Sequence, residues 1–198
     1  MGPCYWAHDR APKAIDCKII PTTAEEEKAL QKFLKEQLEK GYIWKSKSPY
    51  VSAFFFIKKK DGKLQPIQDY QKLNEYTIKN KYPLPLIPEL ITRVKKVNIF
   101  SEFDIRWGYN NVQIKAGDKH KAALKIKYGL YKPGVMFFRL TNSPATFQAM
   151  MDHLLQPWSD KWEQEGVTGS WYMDDVLITS WNKKAHQQAM HELLEYSH

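Results

Sequence analysis

At 198 residues the chain is long enough for one substantial core or for two small lobes sharing a boundary. Thirty Lys and Arg against 22 Asp and Glu leave a net charge of +8, which points to a polyanionic partner. No apolar run approaches the ~18 residues of a membrane span, so no membrane partner is expected.

The two cysteines, Cys4 and Cys17, have neither metal nor redox spacing and are expected to be reduced. With no secretion signal, the expected setting is intracellular, with cytoplasm and nucleus left open.

In chain order, residues 1–20 read as an irregular N-terminal segment. A helix is then predicted to start at Thr22 or Thr23, each followed three residues later by the Glu of a capping box. Leu30, Phe33, Leu34 and Leu38 recur on its apolar side, and Gly41 stops it. Residues 51–57 form a predicted buried strand leading into a basic hairpin over 57–65, where Asp61-Gly62 supplies the tight turn. Its lysines suit a phosphate, although a solvated charged loop is the plainer reading. Pro83, Pro85 and Pro88 make the following stretch extended, a link between two lobes.

The segment from Phe100 to Tyr109 places Asp104 at the end of an apolar, strand-like run. Ser143-Pro144 reads as an N-cap with proline at the first helical position, opening a helix over 145–155. Phe147, Met150, Met151 and Leu154 form its core stripe. Next, Tyr172-Met173-Asp174-Asp175 lies between two strand-forming runs and puts both acids at a hairpin tip. A last amphipathic helix over 183–196 directs Met190, Leu193 and Leu194 inward. Its histidines, His186 and His191, are five apart and do not match zinc spacing on one helical face.

Paired carboxylates at a strand turn are either a solvated turn or a hard-oxygen site suited to Mg²⁺. Asp104 on a second strand favours the site, because three converging carboxylates meet the need of two-metal nucleotidyl transfer, with cations roughly 3.5–4 Å apart. Spacing and composition alone lead to a metal-dependent enzyme.

Eight segments in order then resemble one family. They are Ala11 to Lys18, Gly41-Tyr-Ile with Ser46 to Tyr50, Phe54 to Lys63, Asp69-Tyr-Gln-Lys-Leu-Asn74, Tyr82-Pro-Leu-Pro85, the Asp104 segment, Leu140 to Gln148, and the Tyr-Met-Asp-Asp hairpin. The chain resembles the reverse transcriptases of Ty3/gypsy-type LTR retrotransposon polyproteins. The resemblance implies an α+β fold, the fingers and palm of a right-hand polymerase, with an antiparallel palm sheet flanked by helices. Residues 21–85 would begin the fingers and 86–198 would form the palm with part of the fingers, the thumb and RNase H regions lying beyond.

The resemblance also implies roles. Asp104, Asp174 and Asp175 would be the catalytic residues and would hold two Mg²⁺ ions, for which Mn²⁺ can substitute. Lys59, the backbone at Ile105 and Arg106, Tyr109 and Gln148 would serve the incoming deoxynucleoside triphosphate, with Tyr109 beneath the sugar excluding a 2′-hydroxyl. Lys58, Lys60, Lys63, Lys79 and Lys81 would contact the phosphates of an RNA or DNA template with its primer.

Three positions depart from the family pattern: Gln65 and Gln71 stand where arginines are expected, and Arg139 where a glycine is expected. The implied reaction is RNA-directed DNA synthesis onto a primer 3′-hydroxyl. A catalytically silent remnant that binds nucleic acid through its basic surface is the alternative, and an RNA-dependent RNA polymerase is disfavoured by Tyr109.

Overall fold

The computed structural model describes residues 11–94 and 97–196, so Cys4 lies outside the described residues. The fold is mixed α+β, with two sheets and five α-helices among those residues. The chain divides into two compact units. One comprises residues 1–80 and 109–143, the other 81–108 and 144–198. No helix among the described residues is long and apolar enough to cross a membrane.

In the first unit, α1 (Ala24–Glu39) starts at Thr23, whose hydroxyl accepts from the Glu26 N–H while the Glu26 carboxylate accepts from the Thr23 N–H. Two otherwise unpaired backbone N–H donors are thereby satisfied reciprocally. Leu30, Leu34 and Gln37 face inward, and Phe33 meets Phe54 at 5.2 Å between ring centroids. Leu38, expected on that stripe, is exposed. Gln37 takes its place because the final turn presents that position to the interior.

A five-stranded sheet in the order β1-β6-β5-β2-β3 forms the body of this unit. Its strands are β1 (Ile43–Lys45), β2 (Ser52–Lys58), β3 (Leu64–Asp69), β5 (Leu124–Ile126) and β6 (Gly129–Pro133). β2 and β3 make an antiparallel hairpin from Ala53↔Asp69 to Lys58↔Leu64. Gly62, with φ of 81°, closes the turn by donating its N–H to the Lys59 carbonyl at 2.9 Å, a conformation open to glycine at no steric cost. A short helix, α2 (Gln71–Glu75), follows β3 and buries Leu73. Ile43, Phe54, Ile67, Tyr70, Leu73, Ile114 and Met136 make the core. Cys17 is a free thiol whose pKa is pushed up by burial.

The second unit begins with an extended, proline-bearing stretch and then α3 (Ile87–Val94). Its three-stranded antiparallel sheet has the order β4-β8-β7, from β4 (Ile99–Asp104), β7 (Val167–Tyr172) and β8 (Asp175–Ser180). Two helices back this sheet: α4 (Ser143–Glu163) and α5 (Lys183–Tyr196). Trp158 of α4 donates its indole N–H to the Ala189 carbonyl of α5 at 3.2 Å. Phe147, Met151, Trp158, Val167, Val176, Ile178 and Ala189 are buried, each large side chain contributing on the order of 1.5–3 kcal/mol by leaving water.

α4 is longer than its predicted span, continuing through Pro157. Phe147 and Met151 are buried as expected, but Leu154 is exposed. α5 turns inward on Ala185, His186 and Ala189, while Met190 and Leu193 are half-buried and Leu194 is exposed. Small residues on that face let the helix lie close to the sheet.

Candidate active site

The acid-bearing residues meet at one end of the second unit's sheet. Register pairs Asp104 at the end of β4 with Asp175 at the start of β8, and Asp175 in turn with Tyr172 of β7. Directly opposed residues of an antiparallel pair project to the same face, so Asp104 and Asp175 share one. Asp174 occupies the turn between β7 and β8, and its carbonyl accepts the Ile105 N–H at 2.9 Å. That bond ties the turn after Asp104 to the turn that carries Asp174. The Ile105 amide is thus bonded within the protein, and the Arg106 side chain is exposed.

Both turns are conformationally unusual. Trp107 and Met173 have φ of 59° and 54°, a left-handed region that costs an ordinary side chain on the order of 1–2 kcal/mol. Gly108 follows Trp107, and a Cβ there would come within 2.7 Å of the Phe147 ring, so the turn sits directly on the α4 side chain. Gln148, the next residue of α4, is fully buried and accepts the Met173 N–H at 2.8 Å through Oε1.

Farther along the same two strands, Ser101 of β4 and Ser180 of β8 bind the two ring nitrogens of His186, at 2.8 and 3.0 Å. This imidazole spans the two acid-bearing strands. Burial holds its pKa below the usual histidine value, which keeps it neutral.

The other predicted residues lie elsewhere. Lys58, Lys59, Lys60, Lys63 and Gln65 cluster on the exposed β2–β3 hairpin of the first unit. Lys79 is exposed in that unit and Lys81 in the other, both outside the hairpin, and Gln71 is exposed at the start of α2. Tyr109 belongs to the first unit, where its ring meets Phe138 edge-on at 5.1 Å.

Arg139 is exposed and carries φ of 74°. Two asparagines tie the segment from Arg139 to Asn142 to the stretch from Asn74 to Asn80. Asn74 donates Nδ2–H to the Arg139 carbonyl at 2.8 Å and accepts the Thr141 N–H at 3.0 Å. Asn142 donates to the Ile78 carbonyl and accepts the Asn80 N–H, each at 2.9 Å. Trp107, Arg139 and Met173 are the three non-glycine residues with positive φ among those described. Each lies in a segment that the sequence singles out, and such outliers concentrate at functional sites.

A family model described as reverse transcriptase (RNA-dependent DNA polymerase) matches residues 57–198, well over half of the chain. The chain belongs to the reverse transcriptase family. By family it is an RNA-directed DNA polymerase, as the sequence resemblance implied. Its curated relatives include two transposon polyproteins of Schizosaccharomyces pombe, Tf2-3 at 31% identity and Tf2-7 at 30%, each over 167 residues. These alignments cover 84% of the chain and 12% of each polyprotein, so the chain spans a small part of the length of these relatives.

Reverse transcriptases work with divalent metal ions, and the donor set here suits one. Asp104, Asp174 and Asp175 offer hard carboxylate oxygens from two turns joined by a backbone bond. Among the described residues no three Asp, Glu, His or Cys groups are already gathered into a finished cluster.

Three residues with structural roles carry little signal in the sequence. Asn74 stands there only as the end of a motif, and His186 only at a spacing that does not suit zinc. Asp152 has one local signal, because it lies one helical turn after Gln148 and a Gln–Asp pair at that spacing is a known helical contact.

Proposed function

We propose that this chain performs RNA-directed DNA synthesis, with the first unit serving as polymerase fingers and the second as palm. The observation that carries the reading is the pairing of Asp104 with Asp175 across two strands, with Asp174 tied to the Asp104 turn through the Ile105 N–H. Asp104 and Asp174 would hold two Mg²⁺ ions, with Asp175 as the third carboxylate. When bound, these ions lower the pKa of a primer 3′-hydroxyl and offset the charge of the triphosphate.

The protein's own part is binding and orientation. Lys59, exposed at the hairpin tip, offers a point charge to the triphosphate, and its neighbours Lys58, Lys60 and Lys63 hold the template–primer without reading sequence. Tyr109, steadied edge-on by Phe138, supplies the flat surface beneath a deoxyribose that a 2′-hydroxyl would crowd. Gln148 sets the Met173 turn from below.

A second reading, nucleic-acid binding without chemistry, draws support from Gln65 and Arg139. Gln65 lacks the planar charged group of arginine, and Arg139 places a long side chain at a left-handed position. Primer extension on an RNA template with Mg²⁺ or Mn²⁺ separates the two. The given chain is expected to extend the primer and Asp175→Asn to lose about 10²–10³ of that rate, the scale of losing one preorganised electrostatic contact. Silence from the chain, with extension restored in a Gln65→Arg, Arg139→Gly variant, would establish the silent-binder reading for this sequence.

A further inference from the structure

We propose that Asp152 is a positioning residue that acts through Gln148 to set the Met173 turn, and with it the Asp174 carboxylate. For its catalytic meaning this rests on the polymerase reading above.

The Gln148 side chain is fully buried on α4, so both ends of its amide need partners. Oε1 accepts the Met173 N–H at 2.8 Å, and Nε2 donates to Asp152 Oδ1 at 2.8 Å. The two ends are not interchangeable. An amide turned the other way would put an NH₂ group against the Met173 N–H, donor facing donor. An ionised carboxylate only accepts, so Asp152 fixes which end of Gln148 faces it and leaves the oxygen for Met173.

Asp152 is itself held. The Trp171 indole donates to Oδ1 at 2.6 Å, and the Tyr82 hydroxyl donates to Oδ2. The Asp152 carboxylate in turn raises the Tyr82 pKa and keeps that hydroxyl protonated as a donor. Trp171 lies two residues before Met173. Asp152 therefore grips β7 directly and the turn beyond it through Gln148. That turn has reason to need a grip, because Met173 sits at φ of 54° and Asp174 is the next residue. Loss of the Gln148 bond removes one hold on that left-handed conformation and lets the turn shift and carry Asp174 with it.

Amide hydrogen exchange at Met173, followed by NMR in the full chain, reads this relay without requiring activity. Asp152→Ala is expected to raise Met173 exchange about tenfold or more, the scale of one lost hydrogen bond, with the β8 ladder amides unchanged. Asp152→Asn should retain protection, because its oxygen can accept from Gln148 and Trp171 while its NH₂ donates to the Tyr82 oxygen. Gln148→Met should raise exchange at least as much, and adding Asp152→Ala to it should have little further effect, since coupled residues are not additive. Should Asp152→Ala fail to fold, Tyr82→Phe with Trp171→Phe leaves Asp152 in place without two of its donors and should raise exchange in the same direction by less.

In primer extension, Asp152→Ala should lower kcat about tenfold with nucleotide KM nearly unchanged, the pattern of a mispositioned catalytic group. Unaltered Met173 exchange in Asp152→Ala, or an Asp152→Ala effect undiminished beside Gln148→Met, overturns the relay. A parent chain that makes no DNA yet shows the exchange pattern supports the relay and removes the polymerase reading. Extension with an unresponsive Met173 does the reverse.

Discussion

The acids and the lysines of this chain are presented in opposite ways. In the second unit, Asp174 stands in a turn bonded on one side to Ile105 and on the other to the buried Gln148 amide, and Asp104 is fixed by strand register against Asp175. In the first unit, Lys58, Lys59, Lys60 and Lys63 stand on an exposed hairpin, with only surface ion pairs at Lys58 to Glu25 and Lys63 to Asp61. Such pairs contribute at most about 1 kcal/mol. Carboxylates that must share a metal ion need fixed positions, whereas a lysine attracting a phosphate backbone needs only to be near it. Arg139 complicates this contrast, since it is an exposed cation on a backbone as tightly laced as the acid turns.

Outside the carboxylates, the largest change is expected on the exposed hairpin. Gln65→Arg would restore a charged, planar donor beside Lys59, worth about 1.5–3 kcal/mol if it acts in the transition state, or roughly ten- to a hundredfold in incorporation rate. Steady-state extension kinetics decide this, and an unchanged rate would separate the hairpin from the nucleotide.

Arg139→Gly tests the laced exception. Glycine adopts φ of 74° without strain, while its greater freedom in the unfolded chain offsets part of the gain. A net stabilisation of about 0.5–1 kcal/mol is expected by chemical denaturation. Loss of stability would mean that the arginine side chain makes a contact worth more than the strain.

His186 probes the locked unit through pH. Its folded-state pKa is depressed by burial, so between that value and its ordinary value near 6.5 the unfolded chain binds more protons than the folded one. Stability from this group is full above pH 6.5 and falls as the pH drops through that window. Denaturant midpoints at pH 7.5 and 5.5 should show a drop that is smaller in His186→Gln, and an equal drop in both would clear His186.

The smallest effect belongs to Lys60→Ala, which should weaken nucleic-acid binding alike on all sequences and reduce the salt-dependence slope by about one. A sequence-selective loss would contradict a purely electrostatic hairpin.

Much of this was legible beforehand because it rests on local chemistry. Thr23 and Glu26 cap α1, Asp61-Gly62 closes the lysine hairpin, Ser143-Pro144 opens α4, and Tyr172 to Asp175 form the strand turn as read. Helix faces were less legible. Leu38 and Leu154 fit an apolar stripe by spacing yet point to solvent, and α5 presents Ala185, His186 and Ala189 inward instead of its larger residues. Periodicity proposes a face, and the shape of the surface beneath the helix selects it.

The sequence by itself determined the family and the hairpin that carries the lysines, because residue identity and short spacing carry them, and it singled out Asp104, Asp174, Asp175, Gln65, Gln71 and Arg139 as candidates. Tertiary structure alone decided that Asp104 is opposite Asp175, that a buried Gln148 turned by Asp152 grips Met173, and that His186 spans two strands. Those bonds join residues distant in the chain, and a buried polar atom finds its partner only after the surrounding core has closed.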